Sequence, residues 1–78
     1  ADLQEFYRNA GLANFELGQF NEALQHFVRA IKEESSSAIN YLNRGMAYMK
    51  LGLYEEAQTD YSEALRLTNT MKNNENLS

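Results

Sequence analysis

Residues 7–30, YRNAGLANFELGQFNEALQHFVRA, are echoed thirty-four positions later by residues 41–64, YLNRGMAYMKLGLYEEAQTDYSEA. The register needs no gap. Tyr7 meets Tyr41, Asn9 meets Asn43, Gly11 meets Gly45 and Ala13 meets Ala47. Leu17-Gly18 meets Leu51-Gly52, Glu22-Ala23 meets Glu56-Ala57, and Ala30 meets Ala64. Between these identities stand the pairs Leu12/Met46, Phe20/Tyr54, Phe27/Tyr61 and Ile31/Leu65. Small residues oppose small ones and aromatics oppose aromatics, so one supersecondary unit is used twice.

Each unit reads as helix, turn, helix. Between Asp2 and Leu17 the apolar residues Leu3, Phe6, Tyr7, Ala10, Ala13 and Leu17 recur at three- and four-residue spacing, one face of a helix. Asp2, with Glu5 three residues on, predicts a capping box, and Gly18 is placed to end the helix in the left-handed conformation. Phe20, Ala23, Leu24, Phe27, Ala30 and Ile31 predict a second helix, with Asn21 as its N-cap. Ser35-Ser36-Ser37 separates the units and offers the next cap. Tyr41, Leu42, Ala47, Tyr48 and Leu51 precede the Gly52 turn, and Tyr54, Ala57, Tyr61, Ala64 and Leu65 follow it. The expected organisation is one unit over 1–34, a second over 35–68, and a polar, Asn-rich tail over 69–78 that frays. Gly11 and Gly45 fall in mid-helix, where Gly costs about 1 kcal/mol against Ala. Used twice, that cost predicts close approach of the paired helices. Ala23, Ala30, Ala57 and Ala64 present the same small profile, and Tyr7, Phe27, Tyr41 and Tyr61 fill the space beside them.

Composition excludes several classes of function. With 7 basic and 11 acidic residues, a net charge of −4, the chain lacks the clustered cations that a nucleic-acid surface requires. It has no cysteine, hence no disulfide and no thiolate metal site. No apolar run approaches the roughly 20 residues of a membrane span. The start, Ala1 to Glu5, has neither the basic nor the apolar region of a secretory signal and no initiator Met. The chain therefore reads as cytoplasmic, and as processed or excised from something longer. The single histidine, His26, has no partner residues at metal-ligand or catalytic spacing, so a structural role is expected. Glu33-Glu34 and Glu55-Glu56 are adjacent in sequence and point about 100° apart on a helix, too divergent for a carboxylate dyad. No catalytic residue, metal ligand or cofactor site is expected.

The repeated pattern resembles the tetratricopeptide repeat family. Tyr7, Gly11, Gly18, Phe20, Ala23, Phe27 and Ala30 carry the resemblance in the first unit. Tyr41, Gly45, Tyr48, Gly52, Tyr54, Ala57, Tyr61 and Ala64 carry it in the second. Asn14 stands where the family has an aromatic, Arg44 where it usually has Leu, and Ser35 and Asn69 where a proline commonly closes the second helix. The resemblance implies an all-α fold of two antiparallel helix-turn-helix hairpins, stacked as a short right-handed α-solenoid. It also implies a protein-interaction module, an adaptor or scaffold, that holds a peptide or helix of a partner protein in its concave groove. By position that groove is lined by Arg8, Asn9, Leu12, Phe15 and Glu16, then Leu42, Asn43, Met46, Met49 and Lys50.

One subgroup of the family grips the C-terminal carboxylate of chaperone tails with Lys/Arg and Asn side chains. Arg8 and Asn43 fall at two of those positions, but Leu12 replaces an Asn of that clamp. A partial clamp is expected to bind weakly, and the sequence favours an apolar groove formed by Leu12, Phe15, Met46 and Met49, with Asn9 and Asn43 bonding the partner backbone. Two units also leave an apolar flank on the last hairpin. The alternative function is thus structural self-association through that flank, including exchange of hairpins between chains.

Overall fold

A computed structural model describes the backbone of residues 2–77 and the side chains of residues 2–70. Four helices follow one another: α1 (Leu3–Glu16), α2 (Phe20–Glu33), α3 (Ala38–Lys50) and α4 (Tyr54–Leu77). α1 packs on α2 and α3 on α4, giving two antiparallel hairpins; the α2–α3 seam joins them, and α1 touches α3 only slightly. No helix among the described residues is long and apolar enough to cross a membrane.

The same glycine turn closes both hairpins. At the end of α1 the Gln19 amide donates to the Asn14 carbonyl and the Gly18 amide to Phe15. At the end of α3 Leu53 and Gly52 repeat these bonds to Tyr48 and Met49. Both motifs need one left-handed residue, and Gly18 and Gly52 supply it with φ of 78° and 79°. The turn brings the chain back by Gln19, so α2 starts at Phe20 with Gln19 as its N-cap and no side-chain bond. Asn21, expected to cap it, falls one residue inside the helix. Asp2 does cap α1, accepting from the Gln4 amide at 3.1 Å, and Ser37 occupies the N-cap of α3 through its backbone alone.

The glycines stand where the helices meet. A Cβ built on Gly11 would lie 2.5 Å from Phe27 Cε1, and one on Gly45 would lie 2.7 Å from Tyr61 Cε1. Phe27 is 1% exposed and packs with Ala23 and Ala47, flanked by Leu12, Phe15 and Leu24. The core thus lies on the seam between hairpins and is supplied chiefly by α2.

Three features add to the sequence reading. Of the apolar stripe of α1, Leu3, Phe6 and Leu17 are 54%, 64% and 73% exposed, while Tyr7 lies against Arg29 and His26 of α2. α1 turns Gly11 toward α2, the close approach its mid-helix position predicted, and only Gly admits the Phe27 ring there. Buried positions of α3 are partly polar, with Asn40 and Asn43 beside Gly45 and Ala47. Finally, α4 continues past Thr68 to Leu77, where a frayed tail over 69–78 was expected. No Gly or Pro follows Gly52 to interrupt the ladder, and Thr68 and Thr70 donate back to the Ala64 and Arg66 carbonyls. The side chains of residues 71–77, and residue 78, lie outside the described part of the chain.

Two departures from the repeat pattern have a common explanation. Position 26 in the first hairpin corresponds to position 60 in the second, and each makes a polar tie across its hairpin. His26 Nδ1 lies 2.7 Å from Asn14 Oδ1, and Asn14 Nδ2 donates to Gln19 Oε1 at 2.8 Å. With the amide nitrogen so engaged, Asn14 Oδ1 accepts and His26 Nδ1 carries the proton. In the second hairpin the Arg44 guanidinium grips Asp60 with two bonds of 2.8 Å, Asp60 being 2% exposed. Asn14 and Arg44 are the α1 and α3 ends of these ties.

Candidate functional site

The candidate surface is built on α1 and α3. Gln4 and Arg8 are spaced one turn apart on α1 and share a face. Across from them Asn40 is fully buried. Its Nδ2 donates to Gln4 Oε1 at 2.8 Å and to the Ala30 carbonyl at 3.5 Å, while its Oδ1 accepts from Arg8 Nη1 at 3.3 Å. Arg8 Nη1 also donates to Gln4 Oε1 at 3.2 Å. The Arg8 charge is met by two neutral amide oxygens; among the described residues the ion pairs are Arg44–Asp60 and Arg66–Glu63.

One turn along α3 lies Asn43. It is 4% exposed, and its Nδ2 has no hydrogen-bond partner among the described residues. A buried donor left unmatched costs about 1–3 kcal/mol, a cost that any acceptor reaching it, water or peptide, would relieve.

The remaining groove candidates divide between several places. Leu12 and Phe15 pack against the Ala23–Phe27–Ala47 core. Phe15 meets Phe20 edge-on at 5.2 Å, and Lys50 Nζ stands 5.9 Å from the Phe20 ring centre. Asn9 and Glu16 are exposed and Met46 is half-buried. Leu42 and Met49 line clefts on the outer flank of the second hairpin, with Tyr61 and Leu65. Residue-level reasoning missed Gln4 and Asn40. The available sign was an Asn placed at an otherwise apolar position of α3, opposite a Gln and an Arg one turn apart. Among the described residues no group of three His, Asp or Glu side chains is arranged to hold a metal ion.

Comparison with known proteins gives this geometry a family. A family model described as TPR repeat matches residues 11–52, and one described as Tetratricopeptide repeat matches residues 38–67. The chain belongs to the tetratricopeptide repeat family. Among curated relatives, mouse Neutrophil cytosol factor 2 is 37% identical over 57 residues, which is 73% of this chain and 11% of that protein. Hsp70-Hsp90 organizing protein 3 of Arabidopsis thaliana is 36% identical over 58 residues, 74% of this chain and 10% of that protein. The chain thus spans about a tenth of the length of these relatives. Among solved structures, the second tetratricopeptide domain of Spaghetti (RPAP3), bound to the HSP90 peptide SRMEEVD, superposes with a TM-score of 0.81 at 31% identity. That match covers 83% of this chain and 60% of the other. The fold is therefore a helical-hairpin solenoid, and the module is one of protein interaction.

Proposed function

We propose that the α1–α3 face holds the end of an acidic peptide, with a carboxylate oxygen of the peptide accepting from Asn43 Nδ2 and the Arg8 guanidinium supplying the opposing charge. The observation that carries this reading is the buried, unmatched Asn43 donor, one helical turn from the Asn40–Gln4–Arg8 network. A carboxylate met by a cation and an amide donor forms charge-assisted bonds, roughly twice as strong as neutral ones. Leu12 and Phe15 are half-buried against the core, which leaves less of their surface for the apolar groove that the sequence favoured and supports polar anchoring. The solved relative bound to SRMEEVD, a peptide with acidic residues and a terminal carboxylate, supports the same partner class.

The test is fluorescence anisotropy with labelled SRMEEVD and with the same peptide amidated at its C-terminus. Saturable binding of the free acid is expected, weakened about tenfold or more in Asn43→Ala and in Arg8→Ala, a loss of about 1.4 kcal/mol. Circular dichroism checks that both variants keep the helical fold. Equal affinity for the two peptides, or for wild type and Asn43→Ala, would overturn the proposal.

A further inference from the structure

A guanidinium carries five N–H donors, and the edge formed by Nε and Nη2 matches the two oxygens of a carboxylate. Arg44 spends that edge on Asp60, with Nε and Nη2 each 2.8 Å from a carboxylate oxygen. Arg66 spends it in the same way on Glu63, at 2.9 Å and 2.6 Å. Arg8 is arranged differently. It donates through Nη1, to Gln4 Oε1 at 3.2 Å and to Asn40 Oδ1 at 3.3 Å. Among the described residues its Nε–Nη2 edge meets no acceptor, and no carboxylate pairs with it.

The anchors are themselves fixed from across the seam. Asn40 is fully buried. Its Nδ2 donates to Gln4 Oε1 and to the Ala30 carbonyl of α2, so its Oδ1 is the atom left to face Arg8. The second hairpin thereby decides how a side chain of the first is held. Both anchors are also neutral. A carboxylate at position 4 or 40 would hold the guanidinium as firmly but neutralise it, as Asp60 does for Arg44. The two amides immobilise Arg8 and leave its charge unspent. The rotamer entropy of a long side chain is then lost on folding rather than on binding, which favours the complex.

We propose that Gln4 and Asn40 are positioning residues for Arg8, holding Nη1 so that the Nε–Nη2 edge takes both oxygens of one carboxylate on the partner. The proposal rests on the acidic-peptide reading above and adds to it two residues that do not touch the peptide. It also makes the planar edge a requirement of the site, one that the point charge of a lysine does not meet.

Two measurements keep the anchoring separate from the peptide reading. In free 15N-labelled protein, relaxation of the Arg8 Nε–Hε pair should report a rigid guanidinium. Gln4→Ala should make it mobile while the helical spectrum stays unchanged. In anisotropy titrations with labelled SRMEEVD, Gln4→Ala and Asn40→Ala should each weaken binding about threefold to tenfold, the scale of one neutral hydrogen bond. In an Arg8→Ala background the same changes should alter affinity by less than about twofold, because residues that act through one group are not additive. A merely structural role would give additive losses. Arg8→Lys keeps the charge without the planar edge and should bind nearly as weakly as Arg8→Ala. A guanidinium that is mobile in free wild-type protein, or a Gln4→Ala loss that persists in the Arg8→Ala background, would overturn the positioning role and leave the peptide reading intact. Wild-type affinity in Arg8→Lys would overturn the two-oxygen contact. Wild-type protein that does not bind the peptide would overturn the reading and the proposal with it.

Discussion

Replacing Gly11 by Ala opposes two effects of similar size, and the structure decides their balance. Removing a mid-helix Gly recovers about 1 kcal/mol of helix propensity. The new methyl, however, would sit 2.5 Å and 2.6 Å from Phe27 Cε1 and Cδ1. Carbon atoms pack at about 3.5–4.0 Å, so ring and methyl overlap by about 1 Å. The ring has nowhere to go: Phe27 is 1% exposed and enclosed by Ala23, Ala47, Leu12, Phe15 and Leu24. Forcing an extra methylene into such a core costs about 1–3 kcal/mol. With the middle of that range the net loss is about 1 kcal/mol, or about 4–8 °C in Tm for a domain of this size. Gly45→Ala provides the contrast. Tyr61 at 2.7 Å is only half-buried and lines the open flank, so its ring can tilt outward, although the Ala57 carbonyl at 3.3 Å limits the relief. Thermal unfolding followed by circular dichroism should therefore rank wild type above Gly45→Ala and Gly45→Ala above Gly11→Ala. A Gly11→Ala protein with a raised Tm would refute the claim that close helix approach is why Gly stands there.

Two further outcomes follow from the polar ties. Arg44→Leu, which restores the residue common in the family, leaves the 2%-exposed Asp60 carboxylate without its cation. Urea unfolding should show a loss of about 2–3 kcal/mol, below the 3–5 of a wholly buried pair because Arg44 is partly in water, and adding Asp60→Asn should recover most of it. In the native state the hydrogen bonds that Arg44 donates to the Asp60 carboxylate hold the guanidinium above its ordinary value, so this stabilisation persists through neutral pH and is lost only as pH rises beyond the guanidinium range. Glu34, at the turn between hairpins, behaves in the opposite sense. The Ser36 hydroxyl and amide donate to its Oε1 at 2.6 Å and 3.1 Å and hold its carboxyl below the usual range. This contribution is present above the ordinary carboxylate value and is lost as pH falls through the lowered one. The Glu34 side-chain carboxyl resonance should titrate below the usual carboxylate range, and Ser36→Ala should raise it toward that range.

Much of the fold was legible in the sequence because its packing code is local and repeated. Gly11 opposite Phe27 and Gly45 opposite Tyr61 follow from the placement of small and large residues, and the left-handed turns at Gly18 and Gly52 follow from backbone sterics. The polar parts were less legible. Asn14 and Arg44 were visible as departures from the pattern, but their partners His26 and Asp60 lie across a hairpin, at separations that periodicity does not pair. α1 carries apolar residues on two sides, and periodicity finds that stripe without showing that Leu3, Phe6 and Leu17 stay exposed. At the candidate site Arg8 and Asn43 were recognisable by position, whereas Asn40 and Gln4 acquire meaning only once α1 and α3 lie side by side. Leu12 and Phe15, read as groove residues, are half-buried against the core, a contact that periodicity does not reveal. The helical backbone beyond Thr68 was not legible because the segment is polar and lacks an apolar stripe, although neither Gly nor Pro interrupts it.

The Asn43 side-chain amide is itself the most direct reporter of the interaction proposed for this module. In 15N-labelled protein its two Nδ2 protons can be followed while unlabelled SRMEEVD is added. If the peptide carboxylate accepts from this donor, one proton moves downfield and saturates with the same Kd as the anisotropy titration, and the shift is absent with the amidated peptide. Peptide binding that leaves the Asn43 Nδ2 protons unmoved would contradict the account at its centre.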